Sequence, residues 1–226
     1  MKLVTFKDIF STDVEPPSII LIEGAAGTLK SAMCFSLMLE ILKNPEFYGL
    51  YLTFEQTWQS HLVNMRSLGF VPSENLLSLD YNIMRKEFKG AETQIRIFDS
   101  IMEMITSLEK EKKGGFKIFA LDSLNAIYSI MDNNYIEQAI TPFFKKLKQH
   151  NIISLLIYEN VQRKSLSRLR ERFLADGIIS MGIQHGRADV VRFLQPLKYN
   201  GCEHSLKRRH LVAAKDGISL LGPVYQ

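Results

Sequence analysis

From Gly24 the chain reads Gly24-Ala25-Ala26-Gly27-Thr28-Leu29-Lys30-Ser31. Small residues open this stretch, and a lysine and a hydroxyl close it. The spacing follows the pattern G-x-x-x-x-G-K-[ST], which suits one kind of chemistry. Small side chains let successive backbone N–H groups wrap an anionic phosphate. The start of a following helix adds partial positive charge. Lys30 then reaches the outer phosphates, and the Ser31 hydroxyl completes the shell of a Mg²⁺ ion. One position departs from the pattern, because Leu29 stands where the last glycine belongs. If that position needs a positive φ, leucine costs about 1–2 kcal/mol there.

Carboxylates at predicted strand ends extend this chemistry. Lys117-Ile-Phe-Ala-Leu-Asp122-Ser123 is an apolar run ending in aspartate, the form known as Walker B. At the carboxyl edge of a sheet, Asp122 would hold Mg²⁺ through water. Glu55 follows Leu50-Tyr-Leu-Thr-Phe54, where it can orient or activate a water for attack on phosphorus. A helix-start acid favoured by the dipole is the competing reading. Glu159, after Ile152 to Tyr158, either senses the terminal phosphate or caps its strand.

These residues need a frame that brings strand ends together. Apolar runs alternate with helical patterns, which predicts a parallel sheet covered by helices on both faces. The expected strands are Ile19–Glu23, Gly49–Phe54, Leu76–Leu79, Lys117–Leu121 and Ile152–Tyr158. The expected helices are Lys30–Leu42, Gln56–Leu68, Ala91–Lys112, Tyr135–His150 and a charged Lys164–Phe173. Then Gly177–Gln184, Val190–Lys198 and Arg209–Ala214 read as antiparallel strands appended to the core. The fold class expected is therefore α/β, a P-loop nucleotide-binding domain across residues 1–226, with 1–17 as a short lead-in.

Composition sets bounds. The 226 residues are 46% apolar and 23% charged, in the range of an ordinary globular chain with one core. A formal charge of +4 is compatible with phosphate ligands but too small to imply them. The two cysteines, Cys34 and Cys202, form no zinc-ligand spacing with the five histidines. No stretch approaches the ~20 apolar residues that span a bilayer, so a soluble, cytoplasmic location is expected.

The ordered set of motifs resembles the KaiC/RadA-related branch of the RecA superfamily, often called RAD55-like ATPases. It comprises Ile22-Glu-Gly24 with Lys30-Ser31, Thr53-Phe-Glu55, Ala120-Leu-Asp122-Ser123-Leu124 and Tyr158-Glu159. Further on come Leu174-Ala-Asp-Gly-Ile178, Leu197-Lys-Tyr-Asn-Gly201, His204 and Gly217-Ile218. The resemblance covers roughly residues 18–222 and implies a RecA-like core that binds ATP with Mg²⁺. It also implies a homo-oligomeric ring, with a hexamer among the options, or a partner protein. In that family the glutamate matching Glu55 is the catalytic base. The segment matching Lys198–Gly201 reaches a neighbouring subunit's γ-phosphate, with an arginine two residues after the lysine. Here Asn200 replaces that arginine, and Arg192, Lys207, Arg208 or Arg209 are the candidates to substitute.

The implied function is an ATP-binding, slowly hydrolysing regulatory or assembly switch. Two alternatives stay open at this stage. The basic run Lys207-Arg208-Arg209-His210 and the basic residues Arg163, Lys164, Arg168, Arg170 and Arg172 suit a recombination accessory protein binding single-stranded DNA under ATP control. The departures at Leu29 and Asn200 suit a non-hydrolysing interaction module.

Overall fold

The computed structural model describes residues 1–83, 97–159, 170–185 and 190–224. Among the described residues nine strands form one sheet in the order β3-β2-β4-β5-β1-β6-β7-β8-β9. The parallel part comprises β1 (Ser18–Gly24), β2 (Tyr48–Thr53), β3 (Leu76–Asp80), β4 (Phe116–Asp122), β5 (Ile153–Glu159) and β6 (Gly177–His185). Then β7 (Val190–Tyr199), β8 (Arg209–Ala214) and β9 (Gly217–Pro223) add on antiparallel. This is the α/β class expected from the alternation. β9 is an addition to the strands read from the sequence.

The central strand β1 is buried along its whole length, which is why it reads as an unbroken apolar run rather than an alternation. Its even residues Ile20 and Ile22 face one core, with α2 (Lys30–Ile41) and α3 (Trp58–Ser67). Its odd residues Ile19 and Leu21 face the other, with α4 (Ile97–Glu111), α5 (Leu124–Ile130) and α6 (Asn133–Leu147). A short α7 (Arg170–Leu174) precedes β6. The predicted segments 91–96 and 164–169 lie outside the described residues.

The lead-in is more than a tail. Residues Phe6–Phe10 form a five-residue helix, α1. Thr5 and Asp8 close a capping box: Thr5 Oγ1 accepts from the Asp8 N–H at 3.1 Å, and the Asp8 carboxylate accepts from the Thr5 N–H at 2.9 Å. Val4, Phe6, Ile9, Phe10 and Val14 are buried in the same core as α2. So short a helix shows too few apolar positions to reveal its period, and the sequence reading therefore passed over it.

The face of α3 contributes His61, which is fully buried between Trp58, Tyr51 and Phe35, with ring centroids 5.2, 4.6 and 5.5 Å away. Gln56 Nε2 lies 3.1 Å from His61 Nδ1. Burial lowers the His61 pKa from 6.5 to about 4, so the ring is neutral in the fold. The unfolded chain takes up its proton first. Stability supplied by the neutral ring is therefore complete above pH 6.5 and is lost as pH falls toward 4. At ~1.4 kcal/mol per unit, the loss is about 3 kcal/mol. The melting temperature of the wild type is expected to fall more steeply over this window than that of His61→Leu. Parallel pH profiles for the two proteins would show that His61 is not held neutral.

Candidate functional site

The sheet register gathers the predicted residues at one edge. Gly24 at the end of β1 pairs with Glu159 at the end of β5. Thr53 at the end of β2 pairs with Asp122 at the end of β4. The loop Gly24–Ser31 leaves this edge and runs into α2, whose helical residues begin at Lys30.

Close packing and backbone conformation explain the small residues of the loop. A Cβ on Gly24 would lie 2.2 Å from the Met181 carbonyl oxygen. Gly27 has φ +77°, a conformation that a side chain would strain. Thr28 Oγ1 and Lys30 Nζ each donate to the Ala25 carbonyl at 2.8 Å. Arg192 Nε donates to the Gly27 carbonyl at 2.9 Å. A cavity of about 340 Å³ opens here, lined by Gly27 to Ala32 and by Gln56, Asn64, Met65, Ser67 and Leu68.

Leu29 occupies the left-handed region, with φ 71° and ψ 27°. The condition raised by its replacement of glycine is thus met, and leucine is strained there by about 1–2 kcal/mol. Its side chain packs against the core in return. Leu29→Gly relieves the strain but loses that packing and frees the unfolded chain. Its stability is expected to stay within about 1 kcal/mol of the parent. Leu29→Val keeps an apolar group but is β-branched at positive φ, and is expected to lose about 1–3 kcal/mol. Chemical denaturation compares them; a Leu29→Val variant as stable as the parent would contradict the strained geometry.

The carboxylates of this edge act on Lys30 electrostatically. Burial pulls its ammonium pKa down, while Glu159, Asp122 and Glu55, in that order, pull it up. Asp122 is only 2% exposed. Burial raises its pKa, and hydrogen bonds from Tyr51 and Ser31 oppose the rise. Tyr51 Oη donates to Asp122 Oδ2 at 2.7 Å. The exposed Glu55 accepts a short hydrogen bond from the Ser123 hydroxyl, and the Asp122–Ser123 peptide is cis. Asn125 clamps the Glu159 backbone, accepting from its N–H at 2.5 Å and donating to its carbonyl at 3.1 Å.

Lys198 is not part of this cluster. It pairs with Ile178, which is level with Leu21, whereas the loop starts level with Met181. The difference is about 10 Å along the strand at ~3.3 Å per residue. Lys198 Nζ donates instead to the carbonyls of Arg172, Phe173 and Ala175, at 3.2, 3.4 and 2.5 Å. It thereby caps the end of α7. The Asn200 side chain and backbone bond to Asp176. Of the basic residues named as substitutes for the missing arginine, Arg192 is the one that touches the loop. Arg208 stacks on Phe193, 4.5 Å from the ring centroid, and bonds Gln195 and Gln184. Arg209 bonds the carbonyls of Leu221, Leu220 and Asp8. Tyr51, Ser123 and Asn125 escaped the sequence reading, since their site contacts span at least 34 residues of chain.

The donor set suits Mg²⁺ bound to a phosphorylated ligand. Asp122 and Ser31 offer a carboxylate and a hydroxyl side by side. Mg²⁺ takes one or two such protein oxygens and completes its shell with water and phosphate. Among the described residues no group of three or more His, Cys, Asp or Glu forms a separate metal cage. No helix among them is long and apolar enough to cross a membrane.

Comparison with known proteins yields a consistent picture. The family model described as "ATPase: KaiC" matches residues 4–224. The circadian clock protein KaiC2 of Synechocystis is 22% identical over 179 residues, covering 76% of this chain and 31% of the relative. The circadian clock oscillator protein KaiC 1 of the same organism is 23% identical over 211 residues, covering 88% and 39%. The chain thus spans about a third of the length of these curated relatives. A KaiC-like protein from the archaeon Pyrococcus horikoshii shares the fold, with a TM-score of 0.78 at 17% identity, covering 96% of this chain and 95% of that one.

Proposed function

The chain belongs to the KaiC family of ATPases, and from this premise we propose that it binds Mg·ATP at Gly24–Ser31, hydrolyses it slowly and acts as a nucleotide-dependent regulatory or assembly switch. The carrying observation is the shared carboxyl edge at which Gly24 pairs with Glu159 and Thr53 with Asp122, with Lys30 opening α2 out of the loop that leaves it. Lys30 and the N-terminal N–H groups of α2 hold the phosphates. Ser31 and Asp122 hold Mg²⁺, which when bound neutralises charge on the phosphate oxygens. Glu55, set by Ser123, orients and deprotonates the attacking water. Glu159, level with Gly24 at the end of β5, is the sensor of the outermost phosphate.

Two features support slow turnover. Leu29 holds the loop in a left-handed conformation that glycine would adopt without strain. Asn200 stands where the resemblance implies a charge-stabilising arginine. Lys198, the position the resemblance assigns to a neighbour's nucleotide, has its ammonium on the carbonyls at the end of α7, so a contact to a second copy requires it to leave them. We treat residues 1–226 as one ATPase domain working in the cytoplasm. The single-stranded DNA alternative gains nothing from Arg208 and Arg209, whose guanidinium groups serve contacts within the fold. The test is Mg·ATP binding, phosphate release and molecular mass measured on the same samples. Binding with slow release and a nucleotide-dependent change of mass is expected. Absence of binding sinks the proposal, and binding with unchanged mass sinks its assembly part.

A further inference from the structure

Tyr51 is fully buried, and its hydroxyl is directed to the one carboxylate that the proposed site needs for Mg²⁺. We propose that Tyr51 is a positioning residue for Mg²⁺ binding, acting through Asp122; the inference rests on the nucleotide-binding reading given above.

The geometry follows from the strand pairing. Tyr51 on β2 is level with Ala120 on β4, and both side chains face the α2 core. Side chains alternate between faces, so Asp122 lies on that same face, two residues further toward the carboxyl edge. Two residues are roughly 6.6 Å of strand. A tyrosine leaning along the strand spans this with its phenol and delivers the hydroxyl to Oδ2. A phenylalanine in its place would end short.

The ring has little freedom to do anything else. Phe35, Trp58 and His61 surround it, with centroids 6.0, 5.7 and 4.6 Å away. The phenol is thus a rigid donor, and Asp122 Oδ2 is committed to it. Ser31 hydrogen-bonds the same carboxylate. Held by the phenol, the carboxylate has its orientation set before any metal arrives. Groups that hydrogen-bond a metal-binding carboxylate contribute to affinity without touching the ion.

The test separates metal binding from nucleotide binding and from packing. Tyr51→Phe removes one oxygen and keeps the ring. An ATP analogue carrying a fluorescent methylanthraniloyl group is titrated into the full chain, first in excess EDTA and then over a range of Mg²⁺ concentrations. The metal-free affinity is expected to match the wild type within about twofold, while the Mg²⁺ concentration for half-saturation rises about 10- to 100-fold. In an Asp122→Asn background, adding Tyr51→Phe is expected to change the Mg²⁺ dependence no further, because the pathway is already cut. An unchanged Mg²⁺ dependence in Tyr51→Phe overturns the inference, as does a further loss in the Asp122→Asn background. Tyr51→Met provides a second variant without a donor, and melting curves establish folding. If neither variant keeps the fold, Tyr51 is a packing residue and the inference fails. A wild type that binds no analogue at any Mg²⁺ concentration instead removes the nucleotide reading itself.

Discussion

Lys30→Ala is expected to abolish the rise in melting temperature that Mg·ATP gives the wild type. A ligand that binds the native state stabilises it by RT ln(1 + L/Kd), where L is its free concentration, so the shift reports affinity directly. In the free protein the Lys30 ammonium rests on the Ala25 carbonyl, 2.8 Å away. That carbonyl also accepts from Thr28 at 2.8 Å, so it is not orphaned when Lys30 is lost. The unliganded melting temperature should therefore move little. With nucleotide the balance differs. Phosphates would enter a site where Glu159, Asp122 and Glu55 already act on this ammonium. Without it, anion would face carboxylate. A charged hydrogen bond contributes about 1.5–3 kcal/mol, so an affinity loss of about 10- to 100-fold is the minimum expected. A Lys30→Ala protein with the full wild-type shift would place the nucleotide elsewhere.

The second large effect concerns turnover alone. Glu55→Gln is expected to lower single-turnover phosphate release by about 10²–10⁴-fold, the usual contribution of a general base. Binding of Mg·ATP should stay within about twofold, because Glu55 is not among the residues assigned to phosphate or metal. The carboxamide has the size of the carboxylate, and its oxygen still accepts from the Ser123 hydroxyl. The side chain should keep its place while losing its ability to take a proton. Rapid-mixing phosphate release with a parallel binding titration makes the comparison. Unimpaired release would move the base to another carboxylate, with Glu159 the alternative at the same sheet edge. Release already absent in the wild type, with binding intact, would make the protein a nucleotide-gated switch without hydrolysis.

The residues differ in how far their roles could be read without coordinates. Lys30 and Ser31 announce themselves because loop, lysine and hydroxyl are neighbours in sequence. Asp122 and Glu55 follow because each ends an apolar run, and strands of one parallel sheet finish at a common edge. Leu29 was legible as a departure, but its left-handed backbone was visible only in the fold. Lys198 was legible as a motif position, yet its hydrogen bonds to the end of α7 were not. The basic run at Lys207–His210 was legible as a charged surface, with nucleic acid one option for it, but the contacts of Arg208 and Arg209 with Gln184 and with the Leu220 carbonyl were not.

By itself the sequence determined the alternation of strands and helices, the glycine-bearing loop between β1 and α2 and the carboxylates that share its edge. All of these are written in local patterns: apolar period, small residues at a turn, an acid after a buried run. The tertiary structure alone decided which side chains meet across strands. It brought Tyr51 to Asp122, 71 residues apart, and Arg192 to Gly27, 165 apart. It also packed the first residues as α1 into the central core. Such meetings depend on strand order and register, which arise from burying two faces of one sheet at once, and no short window of sequence carries that condition.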